Sequence, residues 1–110
     1  MPGKKYSFGS PSRMKALEPG QTATLKFLDK PKVVETEYGE KYSISILLLS
    51  HPHYPSISSK GMELVWETKA QVIEKDLVPL LKNNPEFTKD YLEHKWEVRI
   101  DDGGAVRIEG

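Results

Sequence analysis

The residues of this chain with chemistry to offer are lysines and aromatics threaded through short alternating runs. Lys26 ends the run Thr22-Ala23-Thr24-Leu25-Lys26, and Lys30 and Lys32 follow within six residues. Tyr38 stands in the turn-like stretch Glu37-Tyr38-Gly39-Glu40, with Lys41 directly after it. Tyr54 and Lys60 fall in a proline- and serine-rich stretch, and Trp66 in the run Met62–Thr68. Interleaved bases and aromatics are what a single-stranded nucleic acid requires. Cations track the phosphates, and exposed rings take unpaired bases at about 1–3 kcal/mol per stack, whatever the base. Lys26, Lys32, Tyr38, Lys41, Tyr54, Lys60 and Trp66 are the candidate binding residues.

Other chemistries find little to work with. With no cysteine in the chain, disulfides, thiolate metal sites and Cys nucleophiles are all excluded. His51-x-His53 supplies two imidazoles, too few for a zinc site, and His94 is the only further histidine. Asp101 and Asp102 adjoin Gly103-Gly104 and read as turn chemistry. No Gly-rich phosphate loop, nucleophile elbow or Ser-His-Asp context occurs. We expect a binding protein that holds no metal or cofactor, not an enzyme.

The elements that would position these residues are short strands. Thr22, Thr24 and Lys26 alternate with Ala23, Leu25 and Phe27, a period of two with one wet and one buried face. Pro31, lacking an N–H, breaks this strand, and Lys32-Val33-Val34-Glu35-Thr36 resumes it beyond a bend. A hairpin at Tyr38-Gly39 leads into the clearest strand, Lys41 to Leu49. Tyr42, Ile44, Ile46 and Leu48 share one face of it, with Lys41, Ser43 and Ser45 on the other. Leu47 and Leu49 interrupt that second face, so this end is expected to be covered on both sides. Residues 50–61 form a long loop of the kind more often functional than idle. Trp66 has an open parity in the third strand. Alongside Leu64 and Thr68 it is a core anchor; turned outward it is a stacking platform. A helical region follows, with Asp76 as cap and Pro79 in its first turn, then a second start at Asn84-Pro85. Phe27, Phe87, Tyr91 and Trp96 are read as core. A hairpin around Asp101-Asp102-Gly103-Gly104 ends the chain.

Counting the bent strand once, this order predicts a mainly β fold: a five-stranded OB-fold-like barrel with a helical insert between strands 3 and 4. Leu17-Glu18-Pro19-Gly20 leading to Thr24-Leu25-Lys26-Phe27-Leu28, and Glu37-Tyr38-Gly39-Glu40-Lys41-Tyr42, resemble single-domain archaeal and viral single-stranded DNA-binding proteins of OB-fold type. The resemblance covers roughly residues 17–108. It implies binding by bases and aromatics on the exposed faces of strands one to three, here Lys26, Tyr38, Lys41, Tyr42 and Trp66. The chain departs from that pattern in its lack of net positive charge, and in Tyr42 sharing parity with Ile44 and Ile46.

The whole chain of 110 residues is compatible with one domain. Its 16 basic and 16 acidic residues cancel, which argues against a polycationic DNA coat. The balance hides a gradient: net +5 over residues 1–32, −3 over 33–68 and −2 over 69–110. Residues 1–16 are read as a flexible basic N-terminal arm that helps hold phosphates, with Met14, Ala16 and Leu17 able to tack its end to the domain, and 17–110 as the domain. No apolar run approaches the ~20 residues of a membrane helix, and no signal peptide is evident, so a cytoplasmic protein without membrane contact is expected. The leading expectation is binding of single-stranded DNA, or RNA, with little sequence preference. The alternative is a protein-interaction or assembly module that meets a partner through the acidic middle segment.

Overall fold

The computed structural model describes residues 12–110; residues 1–11, which hold most of the basic arm, lie outside the described part. Six strands form one antiparallel sheet: β1 (Thr22–Phe27), β2 (Lys32–Thr36), β3 (Gly39–Ser50), β4 (Met62–Thr68), β5 (Trp96–Ile100) and β6 (Val106–Glu109). The order is β2-β3-β1-β5-β6, with β4 also on β3. A π-helical turn (Ile73–Leu77) and the helices α1 (Val78–Asn83) and α2 (Pro85–Glu93) lie between β4 and β5. No helix among the described residues is long and apolar enough to cross a membrane.

β3 is the spine. Its first residues pair with β2 (Tyr42 opposite Val33), its middle with β4 (Ile44 opposite Trp66) and its end with β1 (Phe27 opposite Ile46). Ile44, Ile46 and Leu48 point to one side and are fully buried. Ala23, Leu25 and Phe27 of β1, Leu64 and Trp66 of β4 and Val98 of β5 meet them in one core. The alternation in β1 and β3 thus does what a period of two requires. Leu49 falls where the β1–β3 register slips between Thr24 and Leu25. A bulge there absorbs the residue that broke the alternation. Leu47 is half-buried on the other face, where the loop returns at Gly61. Gly61 has φ +84°, and a Cβ on it would lie 2.9 Å from the Leu47 side chain.

The helical insert plugs one side of the core. Asn84 caps α2 by accepting from the Phe87 amide at 3.0 Å, with Pro85 opening the helix. The first helical stretch differs from expectation: winding starts before Asp76, and Val78 N–H reaches the Ile73 carbonyl in a wide turn just before Pro79. That wide turn lets the chain pass Pro79, which has no N–H to give, without a break. Tyr91 ties the insert to the sheet. Its ring stacks on Phe27 at 4.4 Å, and its hydroxyl donates to the Asp29 carbonyl at 2.8 Å, in the bend between β1 and β2. Burial holds that phenol protonated. Trp96 donates to the Tyr91 carbonyl at 3.1 Å, and Phe87 and Trp96 pack on the core's rim.

Two expectations need correction. The sheet does not close into a barrel: β4 is bonded to β3 and β6 to β5, and no ladder joins β4 to β6. In the region a closing strand would take, the chain's own N-terminal residues run along β4. Met14 N–H donates to the Val65 carbonyl at 2.8 Å, and Val65 N–H to the Ser12 carbonyl at 3.0 Å. Met14 is buried in the core, and Leu17 packs against it. The end of the stretch read as an arm is thus tacked to the domain through Met14 and Leu17 and bonded to β4. Trp66 is the second correction. Its partner across the ladder is Ile44, so it shares the inward face and is only 7% exposed.

This placement makes Trp66 and Tyr38 opposites. In urea unfolding at neutral pH, Trp66→Ala should cost about 3–5 kcal/mol as a core truncation. Tyr38→Ala should stay within about 0.5 kcal/mol of the parent. Similar costs for the two would contradict the fold described.

Candidate nucleic-acid interface

The outward face of β2, β3 and β4 follows from the same registers. Opposite Ser43 stand Lys32 on one side and Glu67 on the other; opposite Lys41 stands Val34, and opposite Ser45 stands Val65. Lys26 faces Leu47. Lys26, Lys32 and Lys41 therefore share one wall along β3. A groove of about 550 Å3 crosses this wall, lined by Arg13, Val34, Glu35, Thr36, Ser43, Val65 and Glu67. Its floor side chains are small, so an extended chain can lie flat across the strands.

Tyr38 stands at one end of this groove, on the β2–β3 hairpin. It is 74% exposed, the largest exposure of any bulky apolar or aromatic side chain among the described residues. The hairpin is held firmly. Thr36 Oγ1 donates to the Gly39 carbonyl at 2.7 Å and accepts from Tyr38 N–H at 3.1 Å, while Lys69 Nζ donates to the Tyr38 carbonyl at 2.6 Å. Gly39 takes φ +103°, the left-handed region that favours glycine. A ring exposed on a fixed turn would need little ordering to meet a partner.

The other proposed binders are distributed differently. Tyr42 has the parity of Ile44, packs beside the core, and lines a small cleft with Val33, Glu40, Lys69 and Glu74, which Lys41 also borders. Its ring is not on the groove wall. Trp66 is inside the core, out of a base's reach. Lys60 is exposed in the loop before β4, at the end of that strand away from Tyr38. Lys32 lies 3.5 Å from the Asp29 carboxylate, both largely exposed, a pairing of little strength.

Tyr54 is engaged with its own chain. Its hydroxyl accepts from Lys15 N–H at 3.0 Å and donates to the Arg13 carbonyl at 3.4 Å, and Lys15 Nζ sits 5.3 Å from the ring centre. Beside it, His51 is 4% exposed. Its Nε2 lies 2.9 Å from the Lys15 carbonyl, and its Nδ1 accepts from His53 N–H at 3.0 Å. Both nitrogens are used and the ring is neutral, with the proton on Nε2. Among the described residues no three His, Asp or Glu side chains gather as a metal site would need. Arg13, which the composition did not single out, reaches the groove because this segment is docked. Its Nη1 is 3.4 Å from Glu67 Oε1.

The electrostatics of the groove side are mixed. The groove lining holds Arg13 against Glu35 and Glu67, a net charge of −1; adding Lys26, Lys32, Lys41 and Glu63 of the same sheet face brings the whole wall to +1. A larger cleft, about 700 Å3, lies between the π-helical turn and β5–β6. There Lys75, Arg99 and Arg107 are matched by Asp76, Asp101 and Glu109, and both arginines are already paired with Glu109 and Asp101 at 2.9 and 3.0 Å. Its three cations are matched, whereas Lys26 and Lys41 on the outward sheet face have no ion-pair partner among the described residues, so that face is the better candidate.

No protein-family model, curated protein or solved structure matches this chain.

The His51 pKa is held below its ordinary value, chiefly because burial strips water from the ring. The Lys15 carbonyl opposes this, and the charges of His53 and Lys15 add to it. The unfolded chain therefore binds a proton more readily, and folding stability falls as pH drops below about 6.5. Urea midpoints at pH 7.5 and 5.5 should differ more for the parent than for His51→Gln. An equal difference would contradict the neutral, bonded ring.

Proposed function

We propose that this protein binds single-stranded nucleic acid across the outward face of β2, β3 and β4. One observation carries the reading: a widely exposed tyrosine on a braced hairpin adjoins the sheet face from which Lys26, Lys32 and Lys41 project, beside an open groove. A base stacks on Tyr38, and the backbone runs along β3 past Lys41, Lys32 and Lys26 toward Lys60. This track is about 30 Å long by strand rise, within the reach of a domain that covers a handful of nucleotides. The small floor residues carry few base-reading groups, which suits binding with little sequence preference. The resemblance of the strand order and of the Tyr38-Gly39 hairpin to OB-fold single-stranded DNA-binding proteins supports the same reading. The sheet here is open where such a barrel closes. The proposed role is binding. A polyanion suits a cytoplasmic setting as DNA or as RNA.

A second reading has one observation in its favour. β2 is an edge strand with Val33 55% exposed, and a partner protein could add a strand there. It predicts no response to oligonucleotides.

Titrating the full chain into a dye-labelled oligothymidine of about 16 nucleotides separates the two. Three lysine–phosphate contacts give a log affinity against log salt slope of about −2. Tyr38→Ala should weaken binding by about 1–3 kcal/mol. A flat salt response removes the lysine contacts, an unchanged Tyr38→Ala removes the platform, and no binding at low salt leaves the strand-addition reading. Competition with an RNA of the same length decides between the nucleic acids.

A further inference from the structure

We propose that residues 12–17 are a strap latched by the neutral His51 ring, and that protonating this ring lifts the strap and loosens the groove's hold on a single strand. The inference rests on the nucleic-acid reading of the groove and adds its regulation.

The strap is held at three points of unequal kind. Along β4 it makes the two backbone hydrogen bonds to Val65. Met14 and Leu17 pack their side chains on the core. The third point is polar and converges on the loop after β3: the Tyr54 hydroxyl on Lys15 N–H, and the His51 ring on the Lys15 carbonyl. The acceptance of His53 N–H by His51 Nδ1 fixes the tautomer that offers Nε2–H to the strap. A proton added at Nδ1 meets that N–H head-on, so the ring must turn or leave, and the Lys15 carbonyl loses its donor. The titratable and charged groups facing the ring are His53 and Tyr54 from its own loop, with ring centres 5.5 and 4.9 Å away, and Lys15 from the strap. Among the described residues no carboxylate lies within ion-pair distance to welcome the new charge.

The link to the groove is Arg13. It sits between the Ser12 and Met14 bonds to Val65, and its guanidinium faces Glu67 in the groove wall. When the strap lifts, the groove loses one cation, and Glu67 stands unopposed where a phosphate would pass. Both changes weaken binding. This sign is the unusual one. On a surface that only gathers charge, acidification adds positive charge and strengthens the hold on a polyanion.

The test uses the full chain labelled with 15N, and an oligothymidine, whose bases do not titrate between pH 7.5 and 5.5, carrying a pH-insensitive dye at fixed ionic strength. The expected result is that Met14 and Lys15 amide resonances move with the His51 ring, with a midpoint below 6.5, and do not move in His51→Gln. Affinity of the parent should fall threefold or more from pH 7.5 to 5.5, and that of His51→Gln by less. Amides that ignore the ring, or affinity rising equally in both proteins on acidification, would overturn the proposal. If His51→Gln fails to fold, Tyr54→Phe loosens the strap with His51 intact. It should bind more weakly than the parent at pH 7.5, and equal affinity would again overturn the proposal. Absence of binding at both pH values with the amides still following the ring would remove the groove reading, and the coupling with it, while supporting the latch.

Discussion

A single strand with three partners governs this molecule. β3 is 12 residues long and must pair with β2, β4 and β1 in succession while keeping Ile44, Ile46 and Leu48 on the inside. A side-chain period of two leaves no freedom in that register. A slip of one residue would carry the whole apolar ridge to solvent and bring Ser43, Ser45 and Leu47 into the core. The bulge at Leu49 takes up the one residue that does not fit. Everything outward then follows, because a strand whose inner face is fixed has its outer face fixed too. Lys41, Ser43 and Ser45 are presented together for that reason, and Lys26, Lys32, Val65 and Glu67 are arranged beside them by pairing.

The open side of the sheet gives the molecule its second character. A sheet whose outer strands stay unjoined leaves edge hydrogen-bonding groups that must be satisfied or screened. Here β4 is covered by the chain's own residues 12–17, through two backbone bonds and two apolar side chains. The cover is cheap compared with a full strand, and it is pinned where the loop after β3 supplies Tyr54 and His51. The same residues that cover the edge bring Arg13 to the groove, so protecting the sheet and completing the candidate interface are one event.

Much of the fold was legible in the sequence because its strands alternate cleanly and its breaks are chemical. Pro31 separates β1 from β2, Gly39 turns the hairpin, and Asn84-Pro85 starts α2; each was readable from local rules. Trp66 was not, since the run Met62–Thr68 holds apolar residues at both parities and only its pairing with Ile44 decides between them. The winding through Pro79 was also hidden, because a wide helical turn has no local signature. That Met14 and Leu17 could tack the arm's end to the domain was readable from their apolar side chains, but where they dock was not, because the β4 edge exists only after folding. Of the candidate site, the lysine wall and Tyr38 were legible from strand parity and turn chemistry. Tyr54 and Trp66 were given roles toward a ligand that the folded chain uses on itself, and Arg13 was read only as one base of the arm because its place beside Glu67 depends on the strap.

The central claim is that a single strand lies on the outward face of β2–β4 with a base on Tyr38. Mapping amide and side-chain chemical shifts of the full protein on addition of oligothymidine tests it most directly. The account predicts changes concentrated at Thr36, Tyr38, Lys41, Ser43 and Val65, with the Tyr38 ring protons moved upfield by the stacked base and the β5–β6 cleft unmoved. Changes centred on Arg99 and Arg107, or none at all at saturating oligonucleotide, would contradict it.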